Sequence, residues 1–107
     1  MRHRGLSAPA KEHRMSAISE LYGRYHGRIL RLARQSTPDG AWKAKLREIL
    51  AELEDDRRHL SVLDARLLSQ ELGSQIEQEA LQFSDPTKRA VLVIALKHID
   101  AADRCES

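Results

Sequence analysis

The sequence predicts an all-α protein, a small helical bundle of three to four helices that is completed by dimerisation. Apolar residues recur along most of the chain at spacings of three and four, the period of an amphipathic helix. Strong turn signals at residues 36–40 and 84–86 separate these stretches. With 107 residues, of which 41% are hydrophobic, the chain suffices for one domain with a thin core. Small cores of this kind are often completed against a partner.

The N-terminal part of the chain divides into a tail and a first helix. Residues 1–14 predict a disordered basic tail, because they show no apolar period and carry four basic residues against one acidic residue, a net +3. Residues 15–107 predict a single helical domain. Its first helix is expected from Ser16, a good N-cap, to Gln35. The apolar stripe of this helix consists of Ile18, Tyr22, Tyr25, Ile29 and Leu32.

Arginines occupy the opposite face of the first helix, and glycines lie at its edge. The arginines are Arg24, Arg28, Arg31 and Arg34. Gly23 and Gly27 lie four residues apart near Leu30, and a helical glycine costs about 1 kcal/mol relative to alanine. These glycines either admit a second helix at short distance or are tolerated at the surface.

The middle of the chain leaves two arrangements open. Thr37 and Pro38 are expected to start the second helix, as its cap and as a residue of its first turn. Between residues 42 and 67 the apolar positions keep a heptad register with one interruption and no glycine or proline. Helices 2 and 3 are therefore either one long rod or two helices separated by a capping box of Ser61 and Asp64.

The apolar stripe of the third helix changes face along its length. Leu60, Leu63 and Leu67 share one face. The second face carries Leu68, Leu72, Ile76 and Phe83. The change falls near Gly73, where the helix either breaks or contacts two different neighbours.

The last helix is expected from Pro86 to about Arg104, and apolar side chains cover more than half of its circumference. A helix this apolar must be covered on two sides. Since few other helices are available, a second protein molecule is the natural cover.

Signatures of catalysis and of cofactor binding are not found. The sequence has no Gly-x-Ser-x-Gly elbow, and its five glycines never cluster into a phosphate-binding loop. We therefore predict no enzyme and no cofactor. The single cysteine, Cys105, excludes an internal disulfide, and the longest apolar run, residues 90–96, is far shorter than the roughly 20 residues of a membrane span. A cytoplasmic protein without membrane contact is expected, because no apolar segment follows the basic N-terminal residues.

Two groups of side chains have spacings that suit metal ligands. Glu52, Asp56 and His59 lie at positions i, i+4 and i+7 of one predicted helix face, and His98 has two aspartates nearby. No His-Glu-x-x-His or paired Glu-x-x-His motif accompanies them. We expect a solvated acidic face and no metal.

Charge is unevenly distributed along the chain. Residues 16–35 carry four arginines against one glutamate, a net +3. Since residues 1–14 also carry +3 and the whole chain carries +2, the rest of the chain carries a net −4. The acidic second helix is either solvated or meets the arginines of helix 1, within the molecule or across a dimer. The acidic body would repel a nucleic-acid duplex, which favours a protein as the partner of the arginine face. The predicted partner-binding residues are Arg24, Arg28, Leu30, Arg31, Leu92, Val93 and Leu96.

These observations favour a regulatory protein-binding module that occludes a surface of its partner and acts as a homodimer. One alternative is a nucleic-acid-binding accessory protein that uses the arginine face of helix 1. Another alternative is an antitoxin or immunity protein.

The stretch of residues 22–28 and the apolar helix at residues 90–96 support one resemblance. In overall character along residues 15–107, the chain resembles the small bacterial quorum-sensing anti-activators. The resemblance implies an all-helical protein that binds the ligand-binding region of a LuxR-type transcription factor. Binding of this kind would block the dimerisation and the DNA binding of that factor.

Overall fold

The computed structural model describes the backbone of residues 9–105 and the side chains of residues 17–102. Four α-helices make up this part of the chain: α1 (Pro9–Gln35), α2 (Trp42–Arg58), α3 (Val62–Gln82) and α4 (Pro86–Cys105). The prediction of an all-α bundle is confirmed, with four helices. Its completion by dimerisation stays a prediction.

α1 begins at Pro9, seven residues before the predicted start at Ser16. Proline suits the first turn of a helix, because its fixed φ is helical and its missing N–H has no partner there in any helix. Of the predicted disordered tail, residues 1–8 lie outside the described residues, and the backbone of residues 9–14 is helical. The domain boundary at residue 15 stays a prediction.

The connection between α1 and α2 is longer than the turn signals suggested. α2 begins at Trp42, so the predicted start at Thr37 and Pro38 is wrong. An Asp39 carboxylate oxygen accepts a hydrogen bond of 2.6 Å from the Thr37 hydroxyl and one of 3.0 Å from the Ala41 N–H. Gly40 then adopts a φ of 82°, which favours glycine. The proline therefore belongs to a tight turn that precedes the helix.

α2 and α3 are two separate helices, which settles the alternative between a long rod and a break. The Ser61 hydroxyl accepts a hydrogen bond of 3.1 Å from the Asp64 N–H and caps α3. His59 ends α2, and Leu60 bonds back to the Arg57 carbonyl oxygen at 3.1 Å. The predicted capping residues are therefore present. The heptad register that runs from residue 42 to residue 67 does not correspond to one continuous helix, because α2 ends at Arg58 and α3 begins at Val62.

α3 runs through Gly73 without a break, so the change of stripe reflects two different surroundings. Leu68, Leu72 and Ile76 are buried in the core. Leu63 and Leu67, on the other side of the helix, are 64% and 40% exposed. One stripe of the third helix thus faces the protein and the other faces solvent.

α4 contacts each of the other three helices. Its start is capped by Asp85, whose carboxylate oxygen accepts a hydrogen bond of 2.8 Å from the Thr87 N–H. The buried side chains of α4 are Val91, Leu92, Ala95 and Ile99. The chain's own helices cover these four side chains, while Ile94 of the same helix is 42% exposed, so a second molecule as a further cover stays a prediction.

The core lies between the four helices and is mostly aliphatic. Its largest fully buried side chains are Tyr25, Ile29, Leu53, Leu68, Leu72, Ile76, Leu92 and Val91. No helix within residues 9–105 is long and apolar enough to cross a membrane.

Two leucines of α3 provide a matched test of this packing. Leu72 is 0% exposed and Leu81 is 80% exposed. Leu72→Ala is expected to lower the free energy of unfolding by about 2–5 kcal/mol, because it removes apolar contacts and leaves a cavity. At protein concentrations low enough for the chain to be a monomer, Leu81→Ala should change it by no more than about 0.5 kcal/mol. Urea denaturation followed by circular dichroism measures both values, and equal losses would contradict the burial of this stripe.

Candidate protein-interaction surfaces

The arginine face of α1 is largely engaged by the acidic half of α2. The Arg28 guanidinium donates two hydrogen bonds to the Glu52 carboxylate, at 2.8 and 3.1 Å. Arg24 lies 3.6 Å from Asp56, and the Tyr25 hydroxyl donates a hydrogen bond to the same carboxylate. The acidic helix therefore meets the arginines within the molecule, one of the arrangements that the sequence left open.

These contacts of Arg24, Tyr25 and Arg28 with Glu52 and Asp56, which we call the α1–α2 seam, orient α1 relative to α2. The hydrogen bonds to Glu52 raise the pKa of Arg28, and the same bonds lower the pKa of Glu52. The guanidinium carbon of Arg28 also lies 5.8 Å from the centre of the Tyr25 ring. Since both partners of the ion pair are partly solvated, its main contribution is a fixed geometry rather than stability.

Tyr25 stands out in this seam because it is 1% exposed yet bonded to a charged group. Burial raises its pKa from 10.0 to about 12, and the hydrogen bond to Asp56 and the nearby carboxylates act in the same direction. The hydroxyl therefore keeps its proton and remains a donor throughout the neutral range.

The remaining predicted residues of α1 have different surroundings. Arg31 is exposed at the edge of a small cavity of about 250 Å³ between α1 and α2. Leu30 is half-buried. A Cβ atom built on Gly23 or Gly27 would have no neighbour within 4 Å outside their own helix. No other helix of the described part of the chain approaches these glycines, and the approach of a second molecule stays a prediction.

A second polar cluster joins α1 to α3. The His26 ring lies 3.0 Å from a Glu79 carboxylate oxygen, which also accepts a hydrogen bond of 3.0 Å from Gln75. The Tyr22 ring stacks on His26 with a centroid distance of 5.5 Å. Burial, followed by the charges of Glu71 and Glu79, raises the pKa of Tyr22. Much of the segment 22–28 therefore makes contacts inside the protein.

The structure does not bring the predicted residues of α4 together on one surface. Leu92 is 1% exposed and belongs to the core, where no partner reaches it. Val93 and Leu96 are half-buried, and Leu96 lies against Gly73 of α3. The exposed apolar residue of this helix is instead Ile94, at 42%. A continuous apolar run does not reveal which of its members faces outward once three helices surround it.

The most exposed large apolar side chains lie on α3. We use the name α3 outer face for Val62, Leu63, Leu67 and Leu81, of which Val62, Leu63 and Leu81 are more than 60% exposed. Leu63 and Leu81 are 18 residues apart, five full turns, so they point in the same direction about 27 Å from each other. The sequence grouped Leu63 and Leu67 on one stripe, and it left open whether the helix breaks or contacts two different neighbours.

An open groove of about 400 Å³ lies between α2 and α4. Its lining residues are Trp42, Lys43, Leu46, Arg47, Leu50, Ala51, Ile94 and His98. We call it the α2–α4 groove. It was not predicted, because nothing in a single sequence tells which sides of two helices stay apart.

The side chains with metal-like spacing are engaged in other contacts. Glu52 and Asp56 bond to α1, and the His59 ring bonds to the Asp55 carbonyl oxygen at 2.8 Å. His98 lies 3.5 Å from Glu54. Within the described residues no group of three or more His, Cys, Asp or Glu side chains is placed to hold a metal ion.

Comparison with known proteins adds nothing to this geometry. No family model, no curated protein and no solved structure matches the chain. Its function is therefore argued from its own surfaces.

The raised pKa of Tyr25 gives a test of the α1–α2 seam. A folded-state pKa of about 12 against 10.0 for an ordinary tyrosine means that the stabilising contribution is complete below pH 10.0 and is lost as the pH rises through about 12. Ultraviolet absorbance of tyrosinate should show a titration step near pH 12 that Tyr25→Phe removes and Tyr22→Phe retains. Titration of both tyrosines near pH 10.0 in the folded protein would contradict the buried hydrogen bond.

Proposed function

We propose that this protein is a regulatory protein-binding module that occludes a surface of its partner. The observation that carries the proposal is the α3 outer face, where Leu63 and Leu67 lie one turn apart on one exposed stripe and the exposed Val62 lies beside it at the start of the helix. Burying apolar surface is worth about 25 cal/mol per Å², so such a cluster favours contact with another molecule. Catalysis and a cofactor form no part of the proposal.

The charge distribution supports a protein over a nucleic acid as the partner. Arg24 and Arg28, half of the arginine face of α1, already neutralise Asp56 and Glu52. A phosphate would have to compete with these carboxylates and would meet the acidic side of α2. This weakens the alternative of a nucleic-acid-binding accessory protein, for which a steep loss of binding with salt would be expected.

The resemblance to the quorum-sensing anti-activators suggests one candidate target. We propose the ligand-binding region of a LuxR-type transcription factor, whose dimerisation and DNA binding would be blocked in the cytoplasm. An antitoxin or immunity protein would use the same kind of apolar face, and the identity of the captured partner distinguishes these roles.

Capture of the partner from host lysate tests the proposal. The chain is immobilised and the lysate is treated with nuclease at low and at moderate salt, followed by mass spectrometry. We expect one protein retained in stoichiometric amount, because an apolar contact survives both treatments. Loss of all bound material on nuclease treatment would instead assign nucleic acid to the arginine face.

Two variants show whether the α3 outer face is the surface used. Leu63→Asp/Leu67→Asp should abolish capture, because it places two charges in the apolar cluster. Ser19→Asp/Ala44→Asp adds the same charge at exposed positions of α1 and α2 and should leave capture intact. Circular dichroism checks that each variant is folded. Equal capture by all three proteins would remove the α3 outer face from the interface.

The proposed homodimer uses the same face, so a captured partner would displace the second copy from it. In an antiparallel pair of α3 helices centred on Leu72, Leu63 of one copy is opposite Leu81 of the other, because both lie nine residues from the centre. Such a contact is self-complementary and closes as a two-fold dimer.

Sedimentation equilibrium tests the dimer. We expect the wild type to be a dimer and Leu81→Asp to be a monomer, with Ser19→Asp as the matched control. A wild type that stays monomeric as its concentration rises would contradict the dimer, and a dimeric Leu81→Asp variant would place the contact elsewhere.

A further inference from the structure

The α2–α4 groove combines an apolar floor with a basic edge. Leu46 and Leu50 of α2 line its floor, and Ile94 of α4, 42% exposed, stands on the opposite wall. Trp42, at the first turn of α2, is 7% exposed and also lines the groove. From Trp42 to Ala51 the groove follows α2 for nine residues, about 14 Å. That length matches about two and a half turns of a bound helix.

The charged side chains that line the groove are all basic. Lys43 and Arg47 lie one turn apart on α2, and His98 lies on α4. The nearest carboxylate beside His98 belongs to Glu54, which also lies 3.5 Å from the buried Arg57. Like charges one turn apart slightly destabilise a helix, and neither Lys43 nor Arg47 forms an ion pair with a side chain of the described part of the chain. A carboxylate from another molecule would relieve this repulsion.

We propose that the α2–α4 groove binds an amphipathic helix of a partner protein whose apolar side chains are flanked by aspartate or glutamate. The apolar side chains of that helix pack on Leu46, Leu50 and Ile94. Its carboxylates meet Lys43 and Arg47 at the edge. This is the helix-in-groove mode of recognition, with apolar anchors at positions i, i+3 or i+4, and i+7. The inference extends the proposed protein-binding function to a second surface and names the chemistry of its ligand.

Two occupants from this chain are less suited to the groove. Residues 1–8 carry Arg2 and Arg4 and no acidic residue, so their charge has the same sign as the edge. A second copy would have to present an apolar helix face to a different surface of the first. A contact of that head-to-tail kind does not close into a dimer and leads to open chains of molecules.

Trp42 provides the readout, since it is the only tryptophan in the chain and lies in the groove. The probes are three synthetic helical peptides of about 15 residues, a length at which a helix becomes marginally stable in water. They share the same leucine anchors, and the flanking positions are all glutamate, all glutamine or all lysine. We expect the glutamate peptide to shift the emission of Trp42 saturably and to bind at least about tenfold more tightly than the lysine peptide.

Variants of the full chain separate charge from apolar contact. Lys43→Glu/Arg47→Glu should invert the preference, so that the lysine peptide binds more tightly. Ile94→Ser should weaken the glutamate peptide about tenfold, because one apolar wall is lost. Arg58→Glu, at the C-terminal end of α2 and outside the groove, should bind as the wild type does. Circular dichroism confirms that each variant is folded.

Several outcomes would overturn the inference. Equal affinity for the three peptides, or no binding of any of them, excludes an acidic helix as the ligand. Saturable binding of dodecanoate without binding of the glutamate peptide makes the groove a site for a small amphiphile. A Trp42 shift that depends on protein concentration alone assigns the groove to a second copy. None of these results bears on capture through Leu63 and Leu67, so the proposed function fails or stands separately.

Discussion

The fold depends on covering α4. Apolar side chains surround so much of this helix that no single neighbour shields it, and all of the other three helices contact it. Val91, Leu92, Ala95 and Ile99 are consequently all buried. The apolar stripes of the other helices pack on α4 or on one another, and α3 is left with a second stripe that nothing in the described part of the chain covers. The exposed leucines of α3 are therefore a consequence of where α4 lies.

Two carboxylates of α2 and two arginines of α1 join these two helices. The acidic half of α2 faces α1, where Glu52 and Asp56 meet Arg28, Arg24 and the buried Tyr25 hydroxyl. A buried tyrosine needs a partner for its O–H, and a carboxylate at the edge of the core supplies one without itself being fully desolvated. The arginine face of α1 is thus mainly a means of joining two helices, which leaves less of it for an outside ligand.

Much of the fold was legible from the sequence, and the errors have local causes. The capping signals of Ser61 and Asp85 were correct, because a side-chain cap depends on a few neighbouring residues. The start of α2 was wrong because a proline that suits a first helical turn also suits the turn before it. The outward placement of Leu63, and the burial of Leu92, depend on which neighbours surround a helix, and a periodicity analysis of one chain does not contain that information. For the same reason the α2–α4 groove had no signal in the sequence.

The order of basic and acidic residues along α2 connects its contact with α1 to the α2–α4 groove. Its first half carries Lys43, Lys45 and Arg47, and its second half carries four carboxylates in five residues, from Glu52 to Asp56. The first turn therefore lacks the acidic residue that the helix dipole favours there, whereas Arg57 and Arg58 suit the last turn. Stability of the isolated helix does not explain the basic first half. The acidic half is explained by the arginines of α1, whereas the basic half has no acidic counterpart within the described residues. A ligand with carboxylates would complete at the groove the charge pairing that α1 completes at the other end of the helix.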